Sequence, residues 1–208
     1  MSINPVAKRF VPVVTGLERV EDAVPLAKAL LNGGLNVVEI TFRSAAAEPA
    51  VRAIRRDVPE MIVGAGTLLN PSQVRQAKEA GAHFGVSPGL NLETVTAAKK
   101  SGLMWIPGVM TPSEVENALN AGCQLLKFFP ANVSGGVAML KALAGPYGQT
   151  GVKFIALGGI TTANIKDILS LPMVAAVGGS LVVDPVLINK KDWSGITSRT
   201  KEVLEMIK

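Results

Sequence analysis

Leu125-Leu126-Lys127-Phe128-Phe129-Pro130 reads as a buried strand that stops at a proline and carries a lysine in its middle. Lysine is almost never fully buried without compensation. The ammonium between Leu126 and Phe128 therefore needs a partner, a path to water, or a reason to lose its proton. A strand-end lysine with its stem on apolar surface and its head in solvent would satisfy the pattern. So would a nucleophilic amine for Schiff-base chemistry, the use to which desolvated lysines are put. The hexapeptide alone leaves both readings open, and the flanking sequence has to separate them.

On both sides of it, short apolar runs alternate with helical periodicity. Strands are expected at 10–14, 37–41, 61–65, 84–87, 103–106, 125–129, 152–157 and 174–177. Between and after them, helices are expected at 21–31, 46–57, 71–81, 92–100, 111–122, 137–143, 162–169 and 194–207. Gly33-Gly34 caps the first helix, Pro71 opens the third at its first position, and Thr111-Pro112-Ser113-Glu114 has the form of a helix start. Gly81, Gly102 and Gly122 each join a helix end to a strand at spacings of 21 and 20 residues, about one βα unit. Near-continuous apolar strands alternating with helices imply a parallel sheet covered by helices. Eight such units predict a single α/β domain over residues 1–208, a (β/α)8 barrel near the lower size limit of that fold, with 1–9 as an N-terminal cap segment. A doubly wound open sheet is the alternative, but the VTGLERV segment after the first strand lacks the G-x-G-x-x-G turn that usually marks it.

Composition narrows the function classes. Of 208 residues, 48% are hydrophobic and 18% charged, enough apolar material for a core and too much for disorder. The net charge of +5 is spread over dispersed basic residues, and aromatics make up only 4%, so no nucleic-acid surface is expected. No apolar run is long enough for a membrane span, and MSINPVAKRF lacks the apolar core of a signal peptide. The single cysteine, Cys123, precludes an internal disulfide and reads as a small buried thiol, which predicts a cytoplasmic setting. No cluster has metal-ligand spacing, so neither a metal nor a cofactor is expected. The one histidine, His83, falls at the start of strand 4, the barrel face concerned with stability.

Barrel enzymes work from the C-terminal ends of their strands. Val37-Val38-Glu39-Ile40-Thr41-Phe42-Arg43 places Glu39, Thr41 and Arg43 on one face by alternation. A simple Glu39–Arg43 ion pair at the strand end would also account for them. Strands 2 and 6 lie across a barrel from each other, so Glu39 and Lys127 are expected to meet near the axis. Gly158-Gly159 and Gly178-Gly179-Ser180 end strands 7 and 8, where barrels often bind phosphate through backbone N–H groups. A Gly-Gly pair by itself is more often a tight turn. Imine formation needs a neutral amine, and only ~0.04% of an ordinary lysine is neutral at pH 7. Apolar surroundings favour the neutral form and a carboxylate favours the charged one, so Glu39 is expected to shuttle protons rather than pair tightly with Lys127.

At these residues the chain resembles the 2-keto-3-deoxy-6-phosphogluconate (KDPG) aldolase family, also described as bifunctional with 4-hydroxy-2-oxoglutarate (KHG) aldolase. The resemblance covers nearly the whole chain through VEITFRS, GAGTLLNPSQV, VSPGLN, PGVMTPSEV, LLKFFPA, GGVAMLKALAGPY, LGGIT and GGSLVV. It implies a class I aldolase on a (β/α)8 barrel, a homotrimer that needs no metal. Lys127 would be the Schiff-base residue and Glu39 the general acid/base. Arg43 and Thr67 would hold the pyruvate carboxylate, and Gly158, Gly159, Gly179 and Ser180 the phosphate. Pro88 and Phe129, from VSPGLN and LLKFFPA, would line the substrate site. One departure stands out: Ala156-Leu157 replaces the family's usual Pro-Thr before Gly158, removing a hydroxyl that would meet the substrate's own hydroxyl carbons. The implied reaction is cleavage of KDPG to pyruvate and glyceraldehyde 3-phosphate, with KHG cleavage to pyruvate and glyoxylate as a second activity. The alternatives are another keto-deoxy acid such as the 6-phosphogalactonate epimer, a sugar-phosphate epimerase or isomerase using Glu39 alone, and a non-catalytic phosphate-binding barrel.

Overall fold

The structure, a computed structural model, describes residues 3–208. Nine parallel strands occur in chain order: β1 Phe10–Val14, β2 Val37–Thr41, β3 Ile62–Gly66, β4 Phe84–Val86, β5 Met104–Ile106, β6 Gly108–Val109, β7 Leu125–Phe128, β8 Lys153–Leu157 and β9 Val174–Gly179. The helices are α1 Ala23–Asn32, α2 Ala47–Asp57, α3 Pro71–Glu79, α4 Leu92–Ser101, α5 Pro112–Asn120, α6 Gly136–Tyr147, α7 Ile165–Leu169, α8 Pro185–Asn189 and α9 Trp193–Met206. None of these helices is long and apolar enough to cross a membrane.

The sheet order is β5-β4-β3-β2-β1-β9-β8-β7-β6. Its two ends, β5 and β6, are one stretch of chain broken at Pro107, so eight staves make a ring that closes through that residue. Proline has no N–H to give a ladder, which interrupts the strand. Its carbonyl still accepts from the Lys127 amide at 2.8 Å, and Ser87 N donates to Ile106 O at 3.3 Å on the other side. The expected fifth strand at 103–106 is therefore half of a stave that continues to Val109.

Register fixes what faces inward. Val13, Glu39, Gly64, Phe84 and Met104 are paired across β1 to β5. Gly108, Lys127, Ile155 and Ala176 are paired across β6 to β9. Parallel partners share a face, so Glu39 and Lys127 both point into the ring. Gly64 is bare because Phe84 fills the space beside it; a Cβ there would lie 2.7 Å from the ring's Cε1.

The helices cover the outside. In α2, buried Ala47, Ala50, Val51 and Ile54 recur at helical spacing and form its core-facing stripe. Asn70 caps α3 ahead of Pro71, and Thr111 and Glu114 form a capping box on α5. Helix α6 runs past the expected Leu143 to Tyr147 and contains Pro146. Helix α7 starts at Ile165, later than expected, because Asn164 first closes a turn on Thr161 N at 2.9 Å. Helix α8 is additional to the expected set, although Asp184-Pro185 is a cap followed by proline at the first position. Beneath the ring, Arg9 donates to Leu169 O at 2.6 Å and joins the chain's start to the end of α7. The first two residues of the expected cap segment lie outside the described residues.

Candidate active site

Strands β2 and β7 stand four places apart whichever way the ring is followed, so they are diametrically opposed. Lys127 is 6% exposed, between the fully buried Leu126 and Phe128. Its Nζ lies 4.8 Å from the centroid of the Phe129 ring, a cation–π distance. Among the described residues no carboxylate pairs with it. Glu39 is 2% exposed, and its Oε1 is buried with no hydrogen-bond partner. No lysine or arginine nitrogen among the described residues comes within 4.0 Å of that carboxylate. Burial pushes the Glu39 carboxyl up from its ordinary range, and the charges of Lys127 and then Arg43 partly offset this. The two groups thus sense each other across the interior without forming a contact ion pair.

The other expected residues ring the mouth. β2 ends at Thr41, and Arg43 N folds back to Thr41 O at 2.9 Å, so the alternation expected through Arg43 stops two residues early. Thr41 does face inward, but its hydroxyl donates to Val14 O at 2.9 Å and serves to tie β2 to β1. Arg43 pairs with neither Glu39 nor any other acid among the described residues. It is exposed, and its Nε donates to Thr67 Oγ1 at 3.3 Å. Thr67 sits at φ 59°, a genuine outlier for a β-branched residue. That conformation turns its side chain toward Arg43 at the shared end of β2 and β3. Pro88 is half-buried and leans on β6, where a Cβ on Gly108 would lie 2.6 Å from Gly89 N. Gly108 is the register partner of Lys127, so Pro88 packs on the stave next to the one that carries the lysine.

Beyond β8, Gly158 and Gly159 have φ of 95° and 74°, which an L side chain rarely adopts. A Cβ on Gly158 would lie 3.1 Å from Pro130 Cα, and one on Gly159 2.5 Å from Asn132 Cβ. The turn itself therefore needs both glycines. The amides of Gly159 and Ile160 in this turn, and those of Ser180 and Leu181 after β9, have no acceptor among the described residues. Asn164, which no sequence motif singles out, braces this turn by donating to Gly159 O at 2.8 Å while accepting from Thr161 N. Short α8 adds no anion site, since the Asp184 carboxylate already caps it. Leu157 faces inward two residues past Ile155, in register with Gly178, and is buried.

Around the mouth, then, an arginine and a hydroxyl stand on the β2–β3 side. An amine stands on β7, and free backbone donors follow β8 and β9. Such an arrangement fits a substrate with a carboxylate at one end, a phosphate at the other and a carbonyl between.

The family model for the KDPG and KHG aldolases matches residues 5–199. The chain is 45% identical to a 2-dehydro-3-deoxy-phosphogluconate aldolase of Treponema pallidum, over 96% of this chain and 93% of that one. It is also 45% identical to the KHG/KDPG aldolase of Escherichia coli K12, over 94% of this chain and 90% of that one. Among solved structures, the KDPG aldolase of Legionella pneumophila, with pyruvate captured as a covalent carbinolamine, superposes with a TM-score of 0.91. That match has 40% identity and covers 97% of this chain and 98% of that one.

Proposed function

This chain belongs to the KDPG and KHG aldolase family, a family of lyases, and from that premise we propose how its own residues perform the reaction. The substrate is 2-keto-3-deoxy-6-phosphogluconate, with 4-hydroxy-2-oxoglutarate as a second one. Arg43 and Thr67 receive the carboxylate, and the amides after β8 and β9, with Gly158, Gly159, Gly179 and Ser180, receive the phosphate. Pro88 and Phe129 flank the reacting carbons.

Lys127 Nζ adds to the C2 carbonyl to give a carbinolamine. Glu39 protonates its departing hydroxyl, and water leaves to form the iminium. The C4 hydroxyl then gives up its proton to Glu39 and the C3–C4 bond breaks. Its electron pair enters the iminium to form an enamine, and glyceraldehyde 3-phosphate departs. Protonation of the enamine at C3 and hydrolysis of the imine release pyruvate and restore Lys127. One residue both gives and takes protons in this sequence, which suits a carboxyl whose pKa burial raises above its ordinary range.

The observation that carries the reading is the unpaired amine of Lys127 inside the ring, opposite Glu39. Pyruvate with borohydride tests it: one reduced pyruvyl adduct should appear on Lys127 and be absent from Lys127→Ala. Turnover of keto-deoxy acids without any trapped adduct would instead favour a mechanism based on Glu39 alone. Within this reading the protein works in the cytoplasm as a homotrimer. Leu69 and Leu92, 54% and 53% exposed beside the groove between α3 and α4, offer an apolar face for such an assembly. A sedimenting species of three chains is the check.

A further inference from the structure

β3 reads Ile62-Val63-Gly64-Ala65-Gly66, with a glycine at two successive inward positions. Glycine weakens a strand interior unless something approaches its backbone closely. Phe84 is the neighbour at Gly64. At Gly66 it is Glu39: a Cβ built there would lie 2.7 Å from the carboxyl carbon Cδ and 2.8 Å from Cγ, with Oε1 nearer still. Carbon atoms do not approach that closely, so the carboxyl would have to move.

The backbone does not itself require glycine here. Gly66 is absent from the positive-φ glycines, pairs with Thr41 in the ladder, and its carbonyl accepts from Phe42 N at 2.8 Å. The three atoms nearest to an alanine Cβ would therefore all belong to the side chain of Glu39. The same seat explains why Oε1 is buried and unpartnered: it rests against bare backbone where no donor reaches. A carboxyl leaving that seat would move into the interior, where Lys127 and Arg43 supply the positive charge.

We propose that Gly66 is a positioning residue, whose missing side chain is the seat that holds the Glu39 carboxyl apart from the cations of the site. Inside the seat Glu39 is a poorly solvated acid free to exchange protons. Outside it, the carboxylate would pair with Lys127, and both groups would be lost to the reaction. This rests on the acid/base role proposed for Glu39, and its test includes a readout that does not depend on activity.

Gly66→Ala is compared with wild type, Glu39→Gln and the double variant. Acid–base catalysis contributes roughly 10²–10⁴-fold. Gly66→Ala should therefore lower kcat by about 10-fold or more, with KM changed far less. The limb of the kcat–pH profile assigned to Glu39 should move to lower pH. In the Gly66→Ala background, Glu39→Gln should cost much less than in wild type, because both changes remove the same function. Independently, carbon-13 NMR of labelled glutamate carboxyls should show Glu39 titrating lower in Gly66→Ala. If NMR shows that shift while the wild type gives no pyruvate adduct with borohydride, the seat stands and the aldolase reading falls. Additive losses, a loss confined to KM, or an unmoved Glu39 titration would overturn the seat. If Gly66→Ala does not accumulate folded, Gly66→Ala/Glu39→Ala removes the obstructing group and should restore folding. Failure of that rescue would show that Gly66 is needed for something other than Glu39.

Discussion

The two ends of the barrel treat their titratable groups in opposite ways. At the N-terminal end, His83 Nδ1 accepts the Val63 amide at 3.0 Å, and the His83 amide donates to Val63 O at 2.8 Å. The histidine is stitched into the wall between β3 and β4. Toward the C-terminal end, Glu39 keeps a buried oxygen without a donor, and Lys127 keeps its amine without an acid partner among the described residues. A buried polar group left unsatisfied costs roughly 1–3 kcal/mol. The floor of the ring is arranged for stability, and the mouth gives some of that stability up at the two groups to which the proposed reaction assigns the chemistry.

Glu39→Gln should break the contrast most sharply. It removes the proposed proton acceptor and should lower kcat by about 10²–10³-fold, read by coupled release of pyruvate. It should also stabilise the protein near neutral pH, because an amide is cheaper to bury than a carboxylate. The sign follows from the raised carboxyl: an unfolded Glu39 releases its proton at lower pH than the folded one. Its contribution is therefore most favourable below about pH 4.5, the unfolded value, and is lost as pH rises through the folded value. The stability gain from Glu39→Gln should appear at pH 7 as a higher Tm, by roughly 2–4 °C for ~1 kcal/mol, and should shrink toward pH 4. A variant that loses activity and also melts earlier at pH 7 would mean that Glu39 is structural.

Much of this contrast is legible in the amino-acid sequence. Lys127 is an anomaly in an apolar strand, and Glu39 is an anomaly in another. The even spacing of the βα units places them on opposing staves. What is not legible depends on three-dimensional closeness, with no residue type or period to announce it. Nothing in Pro107 says whether a strand ends there or resumes, because a carbonyl can continue a ladder that an absent N–H has interrupted. Arg43 continues the alternation of β2 on paper, but Arg43 N folds back to Thr41 O after the strand ends, so its guanidinium meets Thr67 instead of Glu39. Thr67 looks like an ordinary strand-end threonine, and only its φ reveals the turn that aims it. The Gly64-Ala65-Gly66 alternation signals a close approach, but what approaches is set by neighbouring strands.

Leu157 sharpens the comparison at the mouth. It faces inward beside the lysine stave and offers no hydrogen bond to a hydroxyl at C4 of a bound keto acid. A site that hydrogen-bonds a substrate hydroxyl discriminates strongly, whereas an apolar wall separates isosteres by only ~1–3 kcal/mol. Leu157→Thr should therefore raise the preference between C4-epimeric 2-keto-3-deoxy-6-phospho acids by about 10-fold, measured as the ratio of kcat/KM values. The yield of pyruvate adduct under borohydride should stay the same. An unchanged ratio would remove Leu157 from the contacts that read C4.

The smallest effect is expected at the floor. Burial and the nearby Arg55 charge lower the His83 pKa, so the folded protein resists protonation there while the unfolded chain accepts it near pH 6.5. Stability contributed by the neutral ring is whole above that value. It falls as the solution is acidified, until the folded ring too is protonated and its hold on the Val63 amide is lost. Glu114, Asp57 and Asp192 are held below their ordinary values, so their contributions fade at lower pH than that of His83. His83→Asn, whose side-chain carbonyl can still accept the Val63 amide, should flatten the decline in urea midpoint between pH 7 and pH 5 and leave kcat unchanged. Equal slopes in the two proteins would mean that the floor is as indifferent to protonation at His83 as an exposed surface would be. In that case the difference between the two ends of the barrel would rest on Glu39 and Lys127 alone.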